Sequence, residues 1–246
     1  MLGGEAIHIG RYDRGDESVG DASAAMTDHL ISLAGITAGQ DVIDIACGVG
    51  GTVGKLAARG CTVTGIDISE NEIAVARDRL GSDIASGRVA LEVEDFHKLD
   101  CPADRFDVAI CQEPIIHSHD RVRVFGEIFR VLKPGGVFVY SDILTAAGAD
   151  LSAVQMAFNR LRAAAGATPD DYQAMAEGAG FETLHREERP EDIRNHYQKL
   201  EARLDSLRGE VSAEFFESVS RSIVAWRRAV EAGHITWACF LSRKPV

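Results

Sequence analysis

The feature that most constrains this 246-residue chain is a regular alternation of short apolar runs and helical segments. Apolar strand candidates occupy 41–46, 61–66, 88–93, 106–111 and 137–143, and helix candidates such as 52–59 lie between most of them. Strands separated by helices pair in parallel, because the connection has to cross over one face of the sheet. The pattern therefore predicts an α/β fold with a doubly wound, mostly parallel, Rossmann-like sheet.

Helix ends within this stretch are marked by particular residues. Ser69 is predicted to be an N-cap, and Glu72 three residues later completes a capping box for a helix that runs to residue 80. Another helix is predicted over 120–132. It is stopped by Lys133-Pro134-Gly135-Gly136, after which the strand pattern resumes.

The second half of the chain has a different pattern. Helices are predicted over 151–165 and 170–179, and further strands over 181–188 and 234–243, which brings the sheet to seven strands. Between these two strands, residues 190–231 are charged and helical. Such an insertion is too long for an ordinary loop. We therefore expect a helical cap inserted before the last strand, over the carboxyl ends of the strands, where sheets of this kind bind ligands.

Ahead of the alternating stretch, residues 1–40 are predicted to form an N-terminal arm and helix. Residues 3–15 are rich in glycine and charge, whereas 19–33 have the apolar periodicity of an amphipathic helix. At 246 residues the chain can form one sizeable domain with a substantial insertion, so the whole chain, 1–246, is predicted to be a single domain.

Charge and cysteine usage narrow the classes of function. A net charge of −12 without a basic stripe argues against a nucleic-acid partner. No run approaches the roughly 18–20 apolar residues of a membrane helix, and the start has no secretory signal. The five cysteines are scattered and form no Cys-x-x-Cys pair, so we expect a cytoplasmic protein without a metal site. The sequence leaves the oligomeric state open, with a homodimer as one option.

A glycine-rich turn follows the first predicted strand and opens a helix. Gly48 and Gly50 allow a tight turn and let the backbone approach a ligand closely. With Gly54 the spacing imitates a dinucleotide fingerprint, so an NAD-dependent oxidoreductase has to be considered. Asp44, at the end of the strand, would repel a pyrophosphate but would attract the ammonium group of S-adenosylmethionine (SAM). The loop is therefore better suited to SAM.

Acidic residues follow the next two strands. Asp67, nineteen residues after Gly48, can accept hydrogen bonds from both hydroxyls of a ribose. Asp95 can accept a hydrogen bond from an adenine amino group, and the Phe96 ring can cover the base. These side chains indicate a ligand that contains adenosine, a feature that NAD and SAM share.

Five segments together resemble the consecutive motifs of class I SAM-dependent methyltransferases. They are VIDIACGVGG (42–51), VTGIDIS (63–69), EDFHKLD (94–100), FDVAICQE (106–113) and VLKPGGVFVYSD (131–142). The resemblance implies SAM as the cofactor and S-adenosylhomocysteine as the product. It also implies a set of cofactor-binding residues, namely Tyr12, Asp44, Gly48, Gly50, Asp67, Ile68, Asp95, Phe96 and Gln112.

Further segments are similar to the sarcosine/dimethylglycine N-methyltransferases, which make glycine betaine. They are GGEAIHIGRY (3–12), QEPIIHSHDR (112–121), NHYQKLEARLDSLRGEVSAEFF (195–216), Trp226 and HITWACFLSRK (234–244). This resemblance implies methyl transfer from SAM to a small glycine-derived amine. The segment ILTAAGADLSAV (143–154) departs from the family pattern, which leaves the identity of the amine open.

Methyl transfer from SAM is an in-line displacement that needs alignment and exclusion of water but no metal and no strong base. His117, after the fourth strand, is the candidate catalytic group, either to orient the substrate or to accept a proton. A substrate carboxylate calls for an arginine, with Arg11, Arg160 and Arg194 as candidates, and a methylated cation calls for an aromatic ring. The available rings are Tyr12, Tyr197, Trp226 and Trp237. The predicted substrate-binding set is Glu113, His117, Arg160, Tyr197 and Trp226.

Three alternatives remain at this point. The same fold could serve as an O- or C-methyltransferase of another small molecule, such as a natural product. A SAM-binding partner protein without catalysis is a second alternative, and an NAD-dependent oxidoreductase, disfavoured by Asp44, is a third.

Overall fold

The computed structural model describes residues 8–159, 163 and 165–246 of the chain. Within this described part the strands are β1 (Asp41–Ile45), β2 (Thr62–Asp67), β3 (Val89–Val93), β4 (Phe106–Gln112), β5 (Leu132–Thr145), β6 (Glu182–Glu188) and β7 (Ile235–Arg243). The helices are α1 (Val19–Leu33), α2 (Gly51–Ala58), α3 (Glu70–Arg79), α4 (Gly81–Ala85), α5 (Arg121–Val131), α6 (Leu151–Phe158), α7 (Pro169–Gly178), α8 (Pro190–Ser206) and α9 (Ala213–Glu231).

The described strands form one seven-stranded sheet in the order β3-β2-β1-β4-β5-β7-β6. The pairs β1–β2, β1–β4, β2–β3 and β4–β5 are parallel. β7 runs antiparallel to β5, because Gly135 near the start of β5 donates to the Lys244 carbonyl, whereas Ala146 after its end donates to the His234 carbonyl. The predicted α/β fold with a mostly parallel, doubly wound sheet is thus confirmed.

The chain divides into two compact units. The sheet unit comprises Thr27–Asp142, Asp170–Glu187 and Cys239–Val246. The helical unit comprises Met1–Met26, Ile143–Pro169 and Glu188–Ala238. The assignment of residues 1–246 to a single domain stays a prediction, as does a cap that covers the carboxyl ends of the strands.

The centre of the sheet unit is built on β1 and β4, which are buried over most of their length. Val42, Ile43 and Ile45 of β1 are almost completely buried, as is the segment 108–111 of β4. Continuous burial of this kind is typical of parallel strands that helices cover on both faces. It explains why the run 41–46 is readable as a strand without an alternating pattern.

The helical unit has an apolar core of its own between α8 and α9. Leu204, Val219 and Ile223 form its buried cluster, and the half-buried ring of Tyr197 packs against it. The N-terminal segment is fixed to α8 by a buried carboxylate, because the Tyr12 backbone N–H donates to Asp192 Oδ1 at 2.9 Å. Among the described residues, no helix combines the length and the apolar character that a bilayer span requires.

Two element boundaries differ from the predictions. Lys133-Pro134-Gly135-Gly136 does not precede the strand but forms an irregular part of β5, where the register with β4 shifts. The predicted helix 151–165 is too long at its end, since α6 stops at Phe158. The Gln155 side chain there accepts a hydrogen bond from the Ala165 N–H at 3.1 Å, so the chain turns back toward the helix. α4 has no counterpart among the predicted helices.

Gly65 of β2 is required by close packing. A Cβ atom at this position would lie 2.8 Å from Leu91 Cδ2, 2.9 Å from Val53 Cγ2 and 3.0 Å from Cys47 Sγ. We expect Gly65→Ala to lower the free energy of unfolding by about 1–3 kcal/mol, because an added methyl group over-packs this contact. The melting temperature would fall by about 2–4 °C for each kcal/mol.

Gly126→Ala is the matched control, because Gly126 is exposed within α5 and a Cβ there meets nothing within 4 Å. This change should stabilise the protein by about 0.5–1 kcal/mol, since alanine is the better helix former. Equal melting temperatures for the two variants would contradict the packing role of Gly65.

Candidate functional site

The candidate site lies where the strand order of the sheet reverses, between β1 and β4. Ligands of doubly wound sheets bind at this switch point, beyond the carboxyl ends of the strands. Ala46 directly follows β1 with φ 58°, and Glu113 directly follows β4 with φ 66°. Both are non-glycine residues in the left-handed region, where backbone strain tends to mark functional sites.

The loop after β1 depends on its glycines. Gly48 has φ 52° and Gly50 has φ 80°, both in the region that favours glycine. A Cβ atom at Gly50 would also lie 2.8 Å from Leu80 Cδ1. The loop therefore brings bare backbone to the start of α2, as the predicted binding turn requires.

Asp67, the last residue of β2, holds two loops together. Its Oδ2 accepts a hydrogen bond from the Gly48 N–H at 2.9 Å, and its Oδ1 accepts one from the Ser69 N–H at 2.9 Å. Ser69 is the N-cap of α3, as predicted, and its hydroxyl accepts from the Glu72 N–H. The Ser69 N–H, which a full capping box would pair with Glu72, is bound by Asp67 instead.

Asp44 is a buried ionisable residue of the site. Its side chain is 3% exposed, and its Oδ2 has no hydrogen-bond partner within the described part of the chain. Burial, reinforced by the negative charge of Asp67, raises the pKa of Asp44 to about 8. A buried carboxyl group with an unused oxygen is a receptor for a cation. The residues present therefore fit SAM, whose ammonium group supplies such a cation.

Asp95 and His97 form a hydrogen-bonded pair after β3. Asp95 Oδ1 accepts from the His97 N–H at 2.9 Å and lies 2.6 Å from His97 Nδ1, while His97 Nε2 lies 2.8 Å from Ser118 Oγ. The backbone N–H of His97, and then its side chain, hold the pKa of Asp95 below its usual range. The neighbouring Phe96 is half-buried, and Ile68 is a large apolar side chain that is 71% exposed.

Three predicted residues lie at the end of β4 or shortly after it. Gln112 Nε2 donates to Thr52 Oγ1 at 2.8 Å, and Gln112 Oε1 accepts from Thr27 Oγ1 at 3.2 Å, so this amide links three elements of the sheet unit. Glu113 is half-buried, and His117 is exposed at the end of a 3₁₀ turn, Ile115–His117. The residues that hold this turn in place were not predicted from the sequence.

Those residues are Asp142 and Arg121. Asp142, fully buried, accepts hydrogen bonds from the Ile116 N–H at 2.8 Å and from the Tyr172 hydroxyl at 2.9 Å. Arg121 donates to the carbonyls of Ile115 and Ile116. An acidic residue near the end of a buried strand was the available signal for Asp142, as it was for Asp44.

The remaining predicted residues belong to the helical unit. The Tyr12 hydroxyl lies 3.2 Å from His196 Nδ1, and burial lowers the pKa of His196 to about 4, so the imidazole is neutral. Arg11 pairs with an aspartate, and Arg194 is exposed. Arg160 lies outside the described residues. For these residues and Tyr197, roles in binding stay predictions.

Trp226 packs in the core of the helical unit. Its side chain is 1% exposed and stacks on Tyr197 and Phe158, with ring centroids 5.2 Å apart in each pair. This geometry gives Trp226 a packing role, and its predicted contact with a substrate stays a prediction. Trp226 is one of the buried residues on the apolar face of the amphipathic helix α9, which explains this packing role. Trp237 is also fully buried.

The raised pKa of Asp44 predicts how stability depends on pH. Between pH 4 and 8 the folded chain keeps a proton that the unfolded chain has lost, so this residue reduces stability as the pH rises through that range. Asp44→Asn removes the penalty. We expect the variant to melt several degrees above the unmodified protein at pH 8, at about 2–4 °C per kcal/mol, and the difference to shrink toward pH 4.

The measurement is thermal unfolding without ligand across this pH range, with Asp78→Asn as the control for net charge, because Asp78 is exposed on α3. A difference that is independent of pH would contradict the assignment of a buried, protonated Asp44.

Comparisons with known proteins identify the family to which this chain belongs. Residues 36–189 match the family model of a methyltransferase domain. The sarcosine/dimethylglycine N-methyltransferase of Halorhodospira halochloris is 33% identical over 99% of this chain and 90% of its own. The 27-O-demethylrifamycin SV methyltransferase of Amycolatopsis mediterranei (strain S699) is 30% identical over 100% of this chain and 92% of its own.

A solved structure gives the same result. The crystal structure of a Galdieria sulphuraria protein, provisionally named a sarcosine dimethylglycine methyltransferase, superposes with a TM-score of 0.92 and 26% identity. The superposition covers 99% of this chain and 95% of that one. The chain therefore belongs to the class I SAM-dependent methyltransferases, as its motifs predict.

Proposed function

We propose that this enzyme transfers a methyl group from SAM to the nitrogen of a small glycine-derived amine, sarcosine and/or dimethylglycine. The observation that carries the proposal is the 33% identity to a sarcosine/dimethylglycine N-methyltransferase over 99% of the chain. The dimethylglycine N-methyltransferase of Parasynechococcus marenigrum (strain WH8102) adds support at 29% identity over 100% of the chain. Both matches extend through the helical insertion before β7. This insertion lies outside the SAM motifs, so the similarity is not limited to those motifs.

The sheet unit provides the groups that this reaction needs on the cofactor side. Bound SAM supplies a methyl group on a sulfonium, which is already a good leaving group. We assign the ammonium group to Asp44, the ribose hydroxyls to Asp67 and the adenine amino group to Asp95. Phe96 and the exposed Ile68 are assigned to the faces of the base. Asp67 can take this role while it binds the loop N–H groups, because each carboxylate oxygen accepts more than one hydrogen bond.

On the acceptor side we propose His117 and Glu113. Asp142, which is buried, and Arg121 form hydrogen bonds with the backbone of the turn that carries His117. The backbone position of His117 is therefore fixed, although its ring is exposed. An amine has to be neutral to attack a methyl group, and an imidazole can accept the proton that the ammonium form loses. We therefore assign orientation of the substrate and this proton transfer to His117.

We further propose that the enzyme works in the cytoplasm on a free small molecule, with no nucleic-acid partner. The net charge of −12 supports the proposal that the enzyme has no nucleic-acid partner, because a phosphate backbone is bound by basic surfaces.

The acceptor is tested by incubating the protein with SAM and, separately, glycine, sarcosine and dimethylglycine, with mass spectrometry of the products. We expect sarcosine or dimethylglycine to gain a methyl group, and Asp44→Asn to reduce the rate at limiting SAM. Methylation of 27-O-demethylrifamycin SV in a parallel incubation, with no methylated glycine derivative, would overturn the proposed substrate. It would favour the O-methyltransferase alternative, for which the rifamycin relative is the precedent.

Binding of SAM should release a proton. Free Asp44, with a pKa of about 8, is largely protonated at pH 7, whereas a carboxylate beside an ammonium group is ionised. SAM should therefore bind up to about tenfold more tightly per pH unit between pH 6 and 8. Calorimetry in buffers of different ionisation enthalpy should detect close to one proton released for each SAM bound.

Asp44→Asn provides the comparison for this measurement. The variant should bind SAM about 10- to 100-fold more weakly, because a hydrogen bond to a charged group is lost, and it should release no proton. Identical proton release from the two proteins would contradict the assignment of Asp44 to the ammonium group.

A further inference from the structure

Four side chains that take no part in the proposed methyl transfer converge in the sheet unit. His29 comes from α1, His185 and Glu187 come from β6, and Cys239 comes from β7. Ligand atoms of His29, Glu187 and Cys239 all lie within 4.8 Å of one another. Histidine, cysteine and glutamate are the side chains that bind zinc in proteins.

The distances match those between zinc ligands. His29 Nε2 lies 3.3 Å from Glu187 Oε2, and Cys239 Sγ lies 3.8 Å from the same oxygen. In a tetrahedral site, zinc bonds of about 2.1 Å to nitrogen or oxygen and about 2.3 Å to sulfur place these pairs about 3.4 and 3.6 Å apart. These two pairs would therefore accommodate an ion with shifts of a few tenths of an ångström, and the ligand atoms of His29 and Cys239 lie within 4.8 Å of each other.

His185 is outside the group whose ligand atoms lie within 4.8 Å of one another, so it can provide a fourth ligand only after its side chain moves toward the ion. His185 precedes Glu187 by two residues on β6, so the two side chains lie on the same face of the sheet. His185 Nε2 is 3.8 Å from Glu187 Oε2 and has no hydrogen-bond partner within the described part of the chain, although this atom is buried. A single carboxylate oxygen, Glu187 Oε2, is the common neighbour of the other three side chains, which brings four possible ligands together at one place.

The charges of the cluster also balance a divalent ion. One thiolate and one carboxylate neutralise Zn²⁺, and two neutral imidazoles complete the set without further charge. Neutrality favours a location where Cys239 is completely buried while the His29 and Glu187 side chains are only 25% and 28% exposed. The partial exposure leaves an entry path for the ion.

We propose that His29, His185, Glu187 and Cys239 form a zinc site. A thiolate together with imidazoles selects a transition metal over Mg²⁺ or Ca²⁺, which prefer oxygen ligands. Four protein ligands close the coordination sphere, which is typical of structural zinc. The ion would link α1 to β6 and β7, and its binding releases the thiol proton of Cys239 to solvent.

The test uses the full chain without an affinity tag, stripped with a chelator and titrated with Co²⁺ as a spectroscopic substitute for Zn²⁺. We expect one equivalent to bind, with the charge-transfer band of a cobalt–thiolate bond and the intense visible bands of tetrahedral cobalt. Zn²⁺ should displace it. Zn²⁺ should also raise the melting temperature, because a ligand that binds the folded state stabilises it.

Cys239→Ser should abolish the charge-transfer band, and Cys61→Ser should retain it, because Cys61 is an equally buried cysteine whose thiol donates to the Thr37 carbonyl. Glu187→Gln and His185→Gln, at partly exposed positions, should weaken Zn²⁺ binding by more than the roughly 10- to 100-fold that loss of a supporting partner costs. These two variants still test the proposal if Cys239→Ser fails to fold.

The proposal is overturned by weak binding at several sites, by a cobalt spectrum without a thiolate band, or by a band that persists in Cys239→Ser. SAM binding serves as an independent check that each variant is folded, since no ligand of the proposed site is assigned to SAM.

Discussion

Burial of Asp44 near the end of the central strand β1 is the constraint on which the candidate site depends. β1 pairs with β2 and β4, where Asp44 lies between Gly65 and Ile110, and Asp44 is only 3% exposed. A carboxyl group in such a place is costly unless a hydrogen bond or a charge compensates it. The Oδ2 atom of Asp44 has no hydrogen-bond partner in the described part of the chain, which is the observation behind the proposed contact with the ammonium group of SAM.

The surrounding backbone is arranged around this carboxyl group. Gly65 has no side chain, which lets Cys47, Val53 and Leu91 pack against the middle of the sheet. Ala46 adopts a positive φ one residue after β1, where the chain turns into the glycine loop. The positive φ of Ala46 costs free energy, and such local strain is typical of places where the backbone is brought to a ligand. A stable sheet with closely packed strands allows that cost.

The sequence predicted the parts of the structure that depend on local pattern. The bounds of α1, the Ser69 cap and the order of strands and helices follow from apolar periodicity and capping chemistry. The end of α6 did not, because a side-chain contact from Gln155 turns the chain. Asp142 and the His29–Cys239 cluster were missed for another reason: their partners come from separate elements, and only the folded chain brings them together.

Asp44 and Asp67 show how two equal side chains on neighbouring strands acquire different properties. Asp67 receives backbone hydrogen bonds at both oxygens, and its negative charge lies close enough to raise the pKa of Asp44 further. A cation beside Asp44 and Asp67 would stabilise the ionised form of both carboxyl groups. A pyrophosphate would instead add negative charge beside two acidic side chains, which is unfavourable. The preference for SAM over a dinucleotide thus follows from the burial of Asp44 and from its unpaired oxygen. The glycines of the loop do not contribute to this preference, because they would suit either ligand equally well.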